Sequence, residues 1–253
     1  MKRLALLILF IPAILFSQVN ESDSLRLKAN LSVTGFWQQG NVETVIFRAK
    51  SDLNIRVFEN MVFKTKNSYV YQEFGKVKAD EDILSLNFLY FNPQRKSYPF
   101  VLSFFSTNYR REINLRTLNG AGYTFQLYEK EKNWLKLSLS SEFEQTQFRK
   151  TDYVLNSYDG QEFINTWRAT LWVKGNYELF KKKMILKHEF YYQPSLVESK
   201  DYRWQADIGV EFPIWDYISF KVNYLHSFES MVIQGQRRDD KFLTFGLTIK
   251  NYK

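Results

Sequence analysis

The sequence predicts an all-β protein, a transmembrane antiparallel β-barrel of twelve strands. Three observations carry this reading. Apolar and polar residues alternate with period two along nearly the whole chain, the connectors alternate between short and long, and many aromatics sit beside many charges. Of 253 residues, 18% are aromatic and 25% charged, yet the mean hydropathy is −0.38. Disordered chains lack such a density of aromatic residues. Cysteine is absent, which excludes disulfide frameworks and thiolate metal sites. Beyond the N-terminus no stretch approaches the roughly 18 apolar residues of a spanning helix. With 10 Gly and 5 Pro there is little room for a flexible linker.

The first element is a targeting segment. Lys2 and Arg3 precede the apolar run Leu4–Phe16, and small Ser17 precedes the polar Gln18–Ser24. A basic start, a short apolar centre and a small residue describe a secretory signal peptide. The competing reading, an N-terminal membrane anchor, needs a longer apolar run. The expected organisation is therefore a signal peptide at 1–17, a short polar segment at 18–24 and a single barrel domain at 25–253.

The strands follow in order. Leu25, Leu27, Ala29, Leu31, Val33, Gly35 and Trp37 alternate with Arg26, Lys28, Asn30, Ser32, Thr34 and Phe36, and successive strand side chains face opposite ways. Gln38–Asn41 is turn chemistry, with Gly40 and Asn41 tolerating positive φ. Val45, Phe47, Ala49, Leu53, Ile55 and Val57 then oppose Arg48, Lys50, Asp52, Asn54 and Arg56. Met61, Phe63, Tyr69 and Tyr71 oppose Lys64, Lys66, Ser68 and Gln72. The segments 83–91 and 98–111 are apolar on both faces, so their register stays open.

Alternation resumes with Ala121, Tyr123, Phe125 and Leu127 against Gly120, Gly122, Thr124 and Gln126. Leu135, Leu137, Leu139 and Phe143 oppose Lys136, Ser138, Ser140, Glu142 and Glu144. Phe163, Trp167, Ala169, Leu171, Val173 and Tyr177 oppose Thr166, Arg168, Thr170, Lys174 and Asn176, with Trp172 out of pattern. Met184, Leu186, His188, Phe190 and Tyr192 oppose Lys187, Glu189 and Gln193. Tyr202, Trp204, Ala206, Ile208, Val210 and Phe212 oppose Arg203, Gln205, Asp207 and Glu211. Ile218, Phe220, Val222, Tyr224 and Phe228 oppose Ser219, Lys221, Asn223, Ser227 and Glu229. Leu243, Phe245, Leu247 and Ile249 oppose Thr244, Gly246, Thr248 and Lys250. Longer polar loops are expected at 76–82, 111–117, 148–162, 195–201 and 231–240.

Twelve strands of about ten residues fit tilted crossings of an apolar layer. A soluble ligand-binding barrel uses about eight strands, whose inward side chains nearly fill it. Twelve enclose a wider lumen, which makes lipid the partner of the apolar face. A β-sandwich is the other competitor.

Several segments resemble the salt-induced outer-membrane protein family, domain of unknown function 481. Thr34-Gly35 followed by Gly40-Asn41-Val42-Glu43-Thr44 is similar to its first hairpin. Arg116–Tyr123, with Gly120 and Gly122, resembles its central Arg plus Gly-x-Gly segment, and Tyr191–Leu196 with Asp201-Tyr202-Arg203 its late hairpin. The resemblance implies a bacterial outer-membrane barrel and brings no catalytic residues. One departure is the end, where Lys253 follows the aromatic Tyr252 that closes such barrels.

Chemistry at fixed spacing is sparse. His188 and His226 fall on the apolar register, where a ring at headgroup level is the simpler reading than a base or ligand. No serine is placed as a nucleophile, and no phosphate loop, His pair or calcium loop appears. The expectation is no catalytic residue, no metal and no cofactor. Lys and Arg are interleaved with acids and form no nucleic-acid patch. Asp80-Glu81-Asp82 and Asp239-Asp240 read as solvated loop tips before they read as cation bridges to lipid.

The face assigned to the lumen carries Arg26, Lys28, Arg48, Lys50, Arg56, Lys64, Lys66, Lys136, Arg168, Lys174, Lys187, Arg203 and Lys221. Asp52, Glu142, Glu144, Glu189, Asp207, Glu211 and Glu229 oppose them. Such charges must pair or stay hydrated. Pairing gives a closed structural barrel, and water gives a pore that favours anions. The sequence thus predicts a non-enzymatic outer-membrane protein, a small basic-lumen pore or an envelope-integrity protein. Its expected partners are outer-membrane lipid and small anionic solutes. A lipid-modifying barrel enzyme and a secreted soluble binder are the alternatives.

Overall fold

The computed structural model describes residue 21 and residues 26–40, 43–215 and 218–249; the side chains of 28, 30, 32, 248 and 249 lie outside the description. The expected targeting segment, the Asn41-Val42 turn and the C-terminal Tyr252-Lys253 fall on residues outside it. The strands are β1 (Leu27–Gln38), β2 (Thr44–Phe58), β3 (Met61–Phe74) and β4 (Val77–Phe91). Next come β5 (Ser97–Asn108), β6 (Ile113–Lys130), β7 (Asn133–Phe148) and β8 (Phe163–Leu179). The last four are β9 (Met184–Pro194), β10 (Tyr202–Pro213), β11 (Ile218–Glu229) and β12 (Asp239–Ile249).

All twelve lie in one sheet in chain order, each antiparallel to the next. Strands of 11 to 18 residues at a rise of about 3.3 Å are at least ~36 Å long. Tilted by ~45°, they rise ~25 Å, the height of the apolar band of an outer-membrane barrel.

The sheet curls until side chains from distant strands meet. Lys66 of β3 lies 3.9 Å from Glu189 of β9, and Arg116 of β6 lies 3.1 Å from Glu229 of β11. The rings of Phe88 on β4 and Trp172 on β8 are 5.6 Å apart. These contacts define the inside. The other face carries exposed Leu31, Phe47, Tyr123, Leu139, Trp167, Ile208 and Phe245, an apolar surface far larger than the patches that water tolerates.

Two expected loops are strand. Gly75 and Lys76, at φ 56° and 64°, close β3 and β4 with a two-residue hairpin of the primed kind that matches strand twist. The polar stretch 77–82 therefore pairs with β3 instead of forming a loop. Its acids are engaged: Asp80 with Arg110 at 3.1 Å, Glu81 with Lys78 at 2.8 Å, and Asp82 accepting from the Tyr109 backbone N–H. Likewise β6 begins at Ile113, because the polarity of Arg116 serves the interior. Bulges at Arg56/Phe58, Ser106/Asn108 and Gln126/Tyr128 lie near strand ends, where a local twist disrupts pairing least.

The longest connector, 149–162, folds back with one 3₁₀ turn (Asn156–Tyr158). Tyr153 bridges to Ile233 in the β11–β12 connector. Tyr153, Tyr158, Met231 and Ile233 pack with Ile113, Phe148 and Ile164 into an apolar cap over one mouth.

Candidate functional site in the barrel lumen

The lumen is filled in three layers. Beneath the loop cap lies an ion-pair network centred on Glu144 of β7, which is 1% exposed. Its Oε2 accepts from Arg168 Nε at 2.5 Å and from Arg203 Nη2 at 2.8 Å. Its Oε1 lies 3.4 Å from Arg116 Nε. Arg168 also reaches Asp201 at 2.8 Å, Arg116 reaches Glu229, and Arg111 reaches Asp240 at 2.6 Å. Strands β6, β7, β8, β10, β11 and β12 are thus tied by one chain of charges. Glu142, equally buried, accepts from Thr170 at 2.8 Å and from Ser140.

The second layer is a lysine cluster. Glu189 lies 3.7 Å from Lys174 and 3.9 Å from Lys66. Glu21, from the segment before β1, reaches into the lumen and lies 3.0 Å from Lys136 and 3.7 Å from Lys64. The third layer is apolar: Val62, Phe88, Tyr90, Tyr98, Phe100 and Leu102 pack together, with Leu86 and Trp172 against them. Lys174 Nζ sits 3.6 Å from the centre of the Trp172 ring, a contact that offsets part of the ammonium's lost hydration.

Two glycines make room for this filling. A Cβ on Gly120 would overlap the backbone of Ser141 and Glu142, and one on Gly122 the Leu139 carbonyl and the Phe100 ring. The Gly-x-Gly segment therefore lets β7 and the Phe100 ring approach the β6 backbone closely.

The lumen residues expected from the alternation fall into two groups. Asp52, Lys64, Lys136, Glu142, Glu144, Arg168 and Arg203 are buried, and Lys66 and Lys174 are largely so. Asp207 accepts from Asn223 at 2.8 Å, and Lys187 pairs with Glu211 at 3.6 Å. Arg26, Arg48 and Lys50 remain exposed, along the β1–β2 side. The side chain of Lys28 is outside the described residues. Glu21 is not among the residues expected from the alternation: in the sequence its only mark is a carboxylate in the short polar segment 18–24.

Both histidines take the outer register. His188 stacks on Tyr177 with centroids 5.8 Å apart, over Gly175. His226 lies 4.7 Å from the Trp204 ring and 3.6 Å from Asp239. In the cap, burial and then the Asp201 carboxylate push the Tyr158 phenol up to about 12, and burial and then Asp152 do the same for Tyr153. Each stays a neutral donor: Tyr158 to Asp201 at 3.2 Å and Tyr153 to the Gln161 carbonyl at 2.6 Å. Among the described residues no group of three His, Asp or Glu could hold a metal.

An apolar outside, a charged inside and twelve antiparallel strands in chain order define an outer-membrane β-barrel. A family model described as "Protein of unknown function, DUF481" matches residues 29–250, and the chain belongs to that family. Among solved structures, the NanC porin is similar, with a TM-score of 0.53 at 10% identity over 87% of this chain and 100% of that one. The translocator domain of the autotransporter NalP from Neisseria meningitidis has a TM-score of 0.41 at 11% identity, over 88% and 87%. Comparison with curated protein sequences brings no match.

Proposed function

We propose that this protein is a non-enzymatic barrel that stays shut at rest, an envelope protein and not a standing pore. The observation that carries this is Glu144, held by three arginines from β6, β8 and β10 with almost no access to water. An open lumen would hydrate such charges; here ion pairs take the place of water. The apolar cap and the aromatic cluster packed inside the barrel support the same reading. Purified protein placed in a planar bilayer, with assembly verified by its heat-shifted mobility in detergent, is expected to be silent. Stable stepwise conductance would overturn the proposal.

A second reading is favoured by one observation, the exposed Arg48 and Lys50 on β2. They would line a narrow anion path, as rings of basic groups do in anion pores. The similar fold of a porin agrees with it. Conductance with an anion preference that disappears in an R48Q/K50Q variant would establish this reading in place of the first.

A further inference from the structure

We propose that the lumen contains a binding site for a small aliphatic carboxylate, filled in this structure by the side chain of Glu21 acting as a tethered ligand. The inference goes beyond the closed-barrel reading, because it concerns what the wall recognises and not whether ions pass.

The wall supplies the site and a separate segment supplies the carboxylate. Tyr98 Oη on β5 donates to Glu21 Oε1 at 2.7 Å, and Lys136 Nζ on β7 donates to the same oxygen at 3.0 Å. Lys136 also donates to Tyr98 Oη at 3.1 Å, closing a triangle of donors around one oxygen. Lys64 Nζ on β3 lies 3.7 Å from the other oxygen. Every one of these wall groups is buried, Tyr98 completely. Tyr90 holds the Tyr98 ring edge-on at 5.9 Å, so the phenol is aimed before any ligand arrives.

Charge points the same way. Lys64, Lys66, Lys136 and Lys174 converge here, and the described wall acids near them are Glu189, Asp52, paired in register with Lys66, and Asp207, which faces Lys66. Glu21 thus meets four ammonium groups carried by β3, β7 and β8. A strand-borne acid at that point would have balanced them permanently. Instead the balancing group, Glu21, sits ahead of β1 in the chain and belongs to no strand of the sheet. Beside the carboxylate is a cavity of about 20 Å³ bordered by Tyr90, Trp134 and Ser138, room for about one water. The space released when Glu21 withdraws is that of its own CH₂CH₂COO⁻ group, so a free ligand of that shape is propionate-like.

The test titrates sodium propionate, against sodium chloride at matched ionic strength, into the full-length assembled barrel in detergent micelles. The readout is the fluorescence of Trp134, with W134F as the blank. A tethered ligand competes at an effective concentration on the order of millimolar. E21A is therefore expected to bind propionate at least tenfold more tightly than the unaltered protein, and K64M added to E21A to weaken binding at least tenfold. Equal midpoints for E21A and the unaltered protein, or a K64M change without effect, would overturn the proposal. Should E21A not assemble, E21Q keeps the volume and loses the charge. It too is expected to gain affinity, and a midpoint no tighter than that of the unaltered protein would overturn the proposal equally.

Discussion

Glu144→Gln removes the central charge of the buried network and leaves its volume. The neighbours determine the magnitude. Arg168 keeps Asp201 at 2.8 Å, and Arg116 keeps Glu229 at 3.1 Å. Among the described residues Arg203 loses its only carboxylate within bonding distance and keeps Gln193 Oε1 at 2.5 Å. One buried guanidinium is stranded, and breaking a buried pair from one side costs about 3–5 kcal/mol. With a urea slope of ~2 kcal/mol/M, the unfolding midpoint falls by about 2 M. The assay is urea unfolding of the assembled barrel in micelles, followed by tryptophan emission. A second arm removes the stranded charge: E144Q/R203M is expected to cost less than the two single changes summed, by about 1–3 kcal/mol. A loss below about 0.5 kcal/mol for E144Q, the size seen at exposed positions, would refute the reasoning and mean that water already reaches the network.

Two further outcomes are expected. Tyr158→Phe removes a phenol that ionises late, so the titration followed at 295 nm loses a component near pH 12 and not one near the ordinary value of about 10. Because the folded value is raised, the cap's stabilisation by neutral Tyr158 is complete below about pH 10 and lost as the pH rises through about 12. Gly122→Val places two methyl groups against the Phe100 ring and the β7 backbone; overpacking of this kind costs about 1–3 kcal/mol or more, read as a lower urea midpoint, while Gly246→Val, with open space around it, changes it by less than about 1 kcal/mol.

Much of this fold is legible in the sequence, because lipid outside and charge inside impose one rule on most strands. The alternation of Leu135 to Glu144 alone places Lys136, Glu142 and Glu144 on the inner wall, where they lie. The segments that broke the rule are the informative ones. Residues 83–91 and 98–111 are apolar on both faces because one face meets lipid and the other forms the aromatic layer, and Trp172 breaks the pattern of β8 by joining it. Sequence alone reads that interior as wide and basic. It cannot show that Glu144 gathers three arginines from three strands, since pairing across the lumen depends on curvature and not on spacing. Polar stretches at 76–82 and 111–117 read as loops for a similar reason: polarity that serves the interior looks the same as polarity that serves water.

The closed lumen is tested most directly by thiol labelling, and the absence of native cysteine gives a clean background. Single cysteines are placed at Thr146, 1% exposed beside Glu144, and at Lys50, on the exposed side of the inner wall. Treated with a membrane-impermeant maleimide, K50C is expected to react within minutes and T146C to stay unmodified until the barrel is unfolded. Labelling of T146C in the assembled barrel at a rate matching K50C would contradict the account.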